Sequence, residues 1–472
     1  MYFLHLLLPP SLSLSLPLFL SLSSPYQNSR TMVFPKEEKL VHSIRLSSVG
    51  PGRVTGTDVV HIPSSLDLAM KLHYLRGVYY FSAQATQGLT IKGIKESTFT
   101  WLNDYYMTCG RFRRSPDTGR PYMKCNDCGV RFIEGKCDKT IEEWLEMLSE
   151  DCELRNLLVS DHVIGPELSF SPPLLIQITQ FKCGGFSLSL NWAHILGDVF
   201  AVVDFINKWG QMLAGLQKDH PEPPKSNTVI LETPMKADRE PISVRRVGPV
   251  GDHWIYCPGR KKGTFTFHLT SSQLTHLRSK FFGHMKSGRV PPYESLCTIL
   301  WQCIANVKEE EPKVVTICKN DPSKRAIGVL SNSQKISVVR TDSSIKGSDP
   351  CEILGLLVDQ AMEETAQIEE AVERDNGVSD FIIYGANLTF LDIGEANLYE
   401  LELNGLKPIF ADYAIGGVGE EGVVLVHPGP KGAKLSGDGG RVVTVILPEN
   451  LLPALKGELK KNDLLLDENI FS

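Results

Sequence analysis

The stretch from Leu174 to Leu213 constrains the fold more than any other part of the chain. It opens with LLIQITQF, turns at Lys182-Cys183-Gly184-Gly185 and returns as FSLSLNW, where Phe186, Leu188, Leu190 and Trp192 alternate with Ser187, Ser189 and Asn191. A period of two predicts a strand with one apolar face, so the two runs read as a β-hairpin. After AHILGD the pattern changes. Val199, Val202, Val203, Ile206, Trp209 and Leu213 recur at three- and four-residue steps, the stripe of a core-facing helix. A strand therefore gives way to a helix within a few residues, and such a junction can hold a side chain at a cleft on a rigid base.

The rest of the chain alternates in the same manner. Strands are expected at SIRLSSV, the second half of LDLAMKLHYLRGVYYF, GTFTFHL, VVTICK, FIIYGANLTF, GVVLVHP and RVVTVILP. Helices are expected at TIEEWLEML, SSQLTHLRSKFF, YESLCTILWQCIANV and, as one long segment, EILGLLVDQAMEETAQIEEAVERD. Between His220 and Gly259 the chain is rich in Pro, Lys and Glu without sustained periodicity, which reads as an exposed crossover. At 472 residues the chain is long enough for more than one core. The expected architecture is α/β with two domains, 32–219 and 260–472, each a mixed sheet flanked by helices, joined by a linker over 220–259.

Charge and cysteine usage narrow the function classes. With 49 basic and 55 acidic residues the net charge is −6, so no global positive field exists to hold nucleic acid or an anionic membrane. The 11 cysteines are an odd, scattered set, which fits a reducing cytosolic compartment. Cys125 and Cys128 have the spacing of half a zinc site, but no second pair follows at finger or ribbon distance. The expectation there is a hairpin turn and no metal. Residues 2–24 are apolar, yet no Lys or Arg precedes Arg30, prolines 9, 10 and 17 interrupt the run, and Ser alternates with Leu as in a translated dinucleotide repeat. Residues 1–31 are therefore expected to be a translated leader, with Met32 opening the working chain and no membrane span after it.

The candidate for chemistry is His194-Ile-Leu-Gly-Asp198, at the strand-to-helix junction. Imidazole is the side chain best matched to taking a proton near neutral pH. The bare HxxxD pattern is weak, with roughly 0.6 chance occurrences expected in a chain of this composition. On the residues alone, a packing histidine and a general base stand level. Gly417-Val-Gly419-Glu-Glu-Gly422 matches GxGxxG, but a strand-like run follows it and two glutamates would repel a pyrophosphate. Phosphate-loop, zinc-protease and hydrolase-elbow motifs are absent from the sequence. The basic runs Arg260-Lys261-Lys262 and Arg111, Arg113 and Arg114 read as solvated turns before they read as phosphate contacts.

Several of these segments, taken in order, resemble the plant BAHD acyl-CoA-dependent acyltransferases. The matching pieces are Gly110-Arg111-Phe112-Arg113, PYMKCNDCGVRF, the strand into His194-x-x-x-Asp198, YESLCTILWQCI and residues 399–408. The resemblance implies two chloramphenicol-acetyltransferase-like domains with a solvent channel that brings a coenzyme A thioester and an acceptor to the histidine from opposite faces. It further implies that His194 is the general base, that Asp198 holds the loop geometry, and that no cofactor is bound beyond the thioester cosubstrate.

Departures from the family pattern are as informative as the matches. Val199 stands where a Gly usually follows the Asp. Glu402-Leu403-Asn404-Gly405-Leu406 stands at the family's Asp-Phe-Gly-Trp-Gly, so the indole implicated in shaping the channel is missing, and the Tyr-Phe-Gly-Asn element after VVTICK is absent. These departures, with LDLAMKLHYLRGVYYF, ITQFKCGGFSLSLNWAHILGDVF and FIIYGANLTF, look like the eceriferum subgroup of cuticular wax biosynthesis. That resemblance implies a protein that promotes elongation of very-long-chain acyl-CoAs with a β-ketoacyl-CoA synthase, recruited to the cytosolic face of the endoplasmic reticulum. The alternative is an active acyltransferase that moves an acyl group, not aminoacyl, from coenzyme A to an alcohol or amine, with His194 as base.

Overall fold

The computed structural model describes residues 39–215, 239–281, 290–326, 328–432 and 437–465. The leader expected at 1–31 and the first part of the linker, 220–238, lie outside them. Six strands make the first sheet, in the order Val41–Val49, Val130–Cys137, Leu174–Phe181, Phe186–Ala193, Tyr74–Phe81 and Phe410–Gly416. One neighbouring pair, Val130–Cys137 with Leu174–Phe181, is parallel, and the others are antiparallel. The second sheet has seven strands, in the order Lys262–Leu269, Arg441–Pro448, Val423–Pro428, Leu388–Asp392, Val314–Asn320, Gln334–Arg340 and Met362–Glu363. It too is mixed, with parallel pairs on either side of Leu388–Asp392. The expected α/β class with mixed sheets flanked by helices is therefore the observed one. Phe410–Gly416 lies late in the sequence yet completes the first sheet, pairing with Tyr74–Phe81.

The hairpin and its helix form as their periodicity requires. Leu174–Phe181 pairs with Phe186–Ala193, and a helix runs from Val199 to Leu213. Val202, Val203, Phe205, Ile206 and Trp209 are all buried, and Phe205 meets Trp192 edge-on at 5.1 Å between ring centroids. Burying side chains of this size contributes about 1.5–3 kcal/mol each, so the apolar stripe fixes the helix on the sheet.

The polar face of the return strand departs from expectation. Ser187, Ser189 and Asn191 are buried like their apolar neighbours. A second apolar cluster, with Val78 and Tyr80 on the sheet and Ile141, Trp144 and Leu145 on the helix Ile141–Glu150, occupies the opposite side. Alternation therefore marks which face meets which cluster, and not which face meets water.

Other expectations are corrected too. Pro121–Lys124 and Val130–Cys137 do not pair across the Cys125–Cys128 turn, because the first joins a small three-stranded sheet and the second the six-stranded one. The long helix is two, Pro350–Asp359 and Thr365–Glu373, with the short strand Met362–Glu363 between them. The linker is not uniformly exposed. Arg245–Val247 pairs with Asp380–Ile382, and Trp254 is fully buried against Phe112 at 4.9 Å between ring centroids. Its carbonyl accepts the Tyr74 hydroxyl at 2.8 Å, which fastens this segment to the first sheet. Among the described residues no helix is long and apolar enough to cross a membrane.

Candidate functional site

His194 occupies the first position of a single 3-10 turn, His194–Leu196, between the strand Phe186–Ala193 and the helix Val199–Leu213. Its backbone N–H donates to the His73 carbonyl at 3.0 Å, and its own carbonyl accepts Asn332 Nδ2 at 2.9 Å. The loop is braced on its other side as well. Trp192 Nε1 donates to the Gly197 carbonyl at 2.9 Å. Gly197 has φ of +143°, and a Cβ there would come within 3.0 Å of the Ser331 backbone N, so a larger residue would push the loop off its neighbour.

Asp198 works as a cap and a clamp. Its Oδ1 accepts the Ala201 N–H at 3.1 Å at the helix N-terminus, the standard use of an N-cap carboxylate. Its Oδ2 accepts the Ser333 N–H at 2.9 Å, and Arg325 Nη2 reaches both oxygens at 2.9 Å. Those bonds tie the helix start to residues 325–333 from the other half of the sequence. No hydrogen bond joins Asp198 to the imidazole of His194 among the described residues.

The imidazole itself is enclosed. Its exposure is 0%, although the family resemblance implies a solvent channel reaching it. Nε2 lies 3.0 Å from the Tyr384 hydroxyl, and that hydroxyl bonds the Gln334 side chain at 2.8 Å. A phenol has one proton. Nε2 is engaged by Tyr384 in either tautomer: it donates its N–H when the phenol donates to Gln334, and accepts the phenol proton when the Gln334 amide nitrogen, otherwise buried without a partner, faces the hydroxyl. Burial pushes His194 down to about 4 against the opposing pull of the Asp198 charge, so the ring is neutral at pH 7.

His73 positions Tyr384. Its Nε2 accepts the backbone N–H groups of Ile383 and Tyr384 at 3.1 and 3.3 Å, and its ring packs on the phenol at 4.7 Å between centroids. Burial, reinforced by the neighbouring His194, pushes His73 down to about 3. Asp67 completes the wall by accepting both the N–H and Nδ2 of Asn332 at 2.8 Å.

The sequence reading placed none of His73, Tyr384, Gln334, Asn332 or Asp67 at the site. One signal was available for Tyr384. FIIYGANLTF reads as a single strand, yet Gly385 interrupts it, and the chain forms two strands, Asp380–Ile382 and Leu388–Asp392, in different sheets. Gly385 has φ of +86°, and a Cβ on it would meet the Gly419 backbone at 2.6 Å. Tyr384 stands at that break, which turns its ring onto His194.

The loop at Glu402-Leu403-Asn404-Gly405-Leu406 is not beside His194. Gly210, near the far end of the helix that Asp198 caps, packs against Leu401 and Glu402. At 1.5 Å per residue that contact lies about 18 Å along the helix from Asp198. Gly405 there lines a cavity of about 260 Å³ with Leu89, Leu213 and Ala214. The missing indole is therefore remote from the imidazole.

The remaining candidates have structural partners. Arg111 is buried and donates to the carbonyls of Cys109, Gly110 and Gly129, while Arg113 donates to the Phe112 carbonyl and Arg114 pairs with Asp252. Lys261 pairs with Glu449 and Lys262 with Glu420 at the start of the strand Lys262–Leu269. Gly417 to Gly422 forms the connection between Phe410–Gly416 and Val423–Pro428 and opens no helix. Cys125 is buried and Cys128 exposed, and Asp127 between them accepts from Thr55 N and Oγ1.

Comparison with known proteins places this arrangement. The family model described as "Transferase family" matches residues 57–320. Protein ECERIFERUM 26 of Arabidopsis thaliana is 41% identical over 426 residues, which cover 90% of this chain and 96% of that protein. The chain belongs to the BAHD transferase family. Among solved structures, vinorine synthase superposes on this BAHD protein with a TM-score of 0.67 at 16% identity, covering 92% of this chain and 100% of that one. TRI101 of F. sporotrichioides, crystallised with coenzyme A and T-2, gives a TM-score of 0.61 at 13% identity, covering 86% of this chain and 99% of that one. At those identities the likeness is one of fold.

Proposed function

We propose that this BAHD protein acts in cuticular wax biosynthesis by promoting the elongation of very-long-chain acyl-CoAs together with a β-ketoacyl-CoA synthase, at the cytosolic face of the endoplasmic reticulum. In this role His194 is a structural residue. The observation that carries the reading is the state of the imidazole: fully buried, neutral, and committed through Nε2 to Tyr384. A general base needs an available lone pair within reach of the acceptor proton; here Nε2 is engaged by Tyr384 and Nδ1 is buried without a partner, so neither ring nitrogen faces solvent. The extended likeness to ECERIFERUM 26 supports the wax assignment. Co-expression with a β-ketoacyl-CoA synthase in yeast tests it. Longer acyl chains are expected only when both proteins are present, and an unchanged chain-length profile would refute the reading.

A second reading has one observation in its favour: His194 and Asp198 stand in the HxxxD spacing at a strand-to-helix junction. Here Tyr384 swings aside and the Nε2 lone pair of the Nδ1–H tautomer removes the proton from an acceptor alcohol or amine. The acceptor atom bonds to the thioester carbonyl, the C–S bond breaks, and the imidazolium returns its proton to the departing coenzyme A thiolate. Thiol release from acyl-CoA that depends on an added acceptor would favour this reading over the first.

A further inference from the structure

A cavity of about 190 Å³ shares no lining residue with the His194 cluster, and its wall includes Arg76, Arg155, Lys262, Glu153 and Thr264. Two of its three cations are compensated. Arg155 pairs with the buried Asp412, and Lys262 donates to the Glu420 carbonyl at 2.8 Å and reaches its carboxylate at 3.4 Å. Glu153, the one carboxylate on the wall, accepts Asn156 Nδ2 at 2.7 Å.

Arg76 is different. It stands on the strand Tyr74–Phe81 opposite Ala414, and its Nη2 donates to the Asp161 carbonyl at 3.2 Å. Its Nε is buried without a partner, and among the described residues no carboxylate lies within ion-pair distance of its guanidinium. Desolvation works against its charge. The Asp161 and Glu153 charges favour the guanidinium only from beyond ion-pair distance, and a desolvated guanidinium with no carboxylate in contact is costly, while its planar fork of donors matches a phosphate or carboxylate. Arg76, Arg155 and Lys262 come from three separate segments, and Thr264 adds a hydroxyl. Donors arriving from several sides suit a tetrahedral group better than a planar one.

We infer that this cavity binds a phosphate group, dissolved or carried on a lipid head, with Arg76 as its principal ligand. The inference stands apart from the wax reading, since it uses none of the same residues. Two arms of one experiment test it on the full chain: calorimetric titration with inorganic phosphate, and co-flotation with phosphatidylcholine vesicles with and without phosphatidic acid. Saturable binding in the first arm identifies a dissolved source, and flotation that requires phosphatidic acid identifies a lipid one. In whichever arm binds, Arg76→Gln is expected to weaken binding at least about tenfold, as loss of a charge-assisted contact implies. Thr264→Glu keeps the inference testable if Arg76→Gln fails to fold. Its tethered carboxylate should raise the melting temperature and abolish binding. Failure of both arms, or binding that neither variant weakens, would overturn the inference.

Discussion

The Tyr384 hydroxyl lies 3.0 Å from His194 Nε2, and both side chains are fully buried. The same hydroxyl bonds Gln334 at 2.8 Å, so His194 Nε2 is occupied by the phenol whichever ring nitrogen carries the proton.

Removing that hydroxyl should cost stability without creating a catalyst. Tyr384→Phe leaves His194 Nε2 and the Gln334 side-chain amide without their shared partner in a buried site, an expected loss of about 1–3 kcal/mol. Urea unfolding measures it, and the variant should still lengthen acyl chains beside a β-ketoacyl-CoA synthase.

Asp198 should matter more to stability than His194 does. Asp198→Ala removes a helix cap, worth about 1 kcal/mol, leaves the Ser333 N–H without its acceptor, and leaves Arg325 with only the neutral Asn320 Oδ1 in place of a carboxylate. Because Arg325 is partly exposed, the total is expected at about 2–4 kcal/mol, below a fully buried pair. Asp198→Asn keeps the cap and should recover part of the loss in the same unfolding assay.

Acid should destabilise the protein through its buried histidines. His73, His194 and His427 are held down by burial at about 3, 4 and 4, each below the ordinary value of 6.5. Their folded values are depressed, so below pH 6.5 the unfolded chain binds the protons first. The stability they confer is full above that pH and falls as pH drops toward 4, by up to about 1.4 kcal/mol per unit for each ring. Unfolding midpoints at several pH values check the slope, and His427→Gln should reduce it. The His194 ring resonance should not shift between pH 8 and 5.5.

Gly405→Trp is expected to leave thiol release from acyl-CoA unchanged. The position opens on the cavity beside Leu213, remote from His194, so an indole there fills space without meeting the imidazole. A gain in acceptor-dependent thiol release would show that the loop reaches the reacting atoms.

Much of this arrangement is legible in the residue pattern, and what is not has a physical cause. The hairpin and the helix Val199–Leu213 are written in local periods of two and 3.6, which the chain carries within itself. The placement of His194 between them follows directly. Pattern is silent on partners, however. Ser187 and Ser189 look solvent-facing until the helix Ile141–Glu150 covers them, and Trp254 sits in a stretch of linker composition but fills a space beside Phe112. Tyr384 was hidden by a run of strand formers that a single glycine breaks. His73 and Gln334 reach the site from distant parts of the chain, and only the paired sheets bring them to it. The pattern of departures at 402–406 marks the subgroup, although the loop lies too far away to explain the state of the imidazole.

The most direct measurement is the wax profile of a deficient plant carrying His194→Gln, with protein abundance checked alongside. The amide can still bond Tyr384 but cannot act as a base. Restored long-chain wax is the expected result, since the imidazole serves the fold. A protein present at normal abundance that fails to restore the wax would contradict it and return His194 to the chemistry.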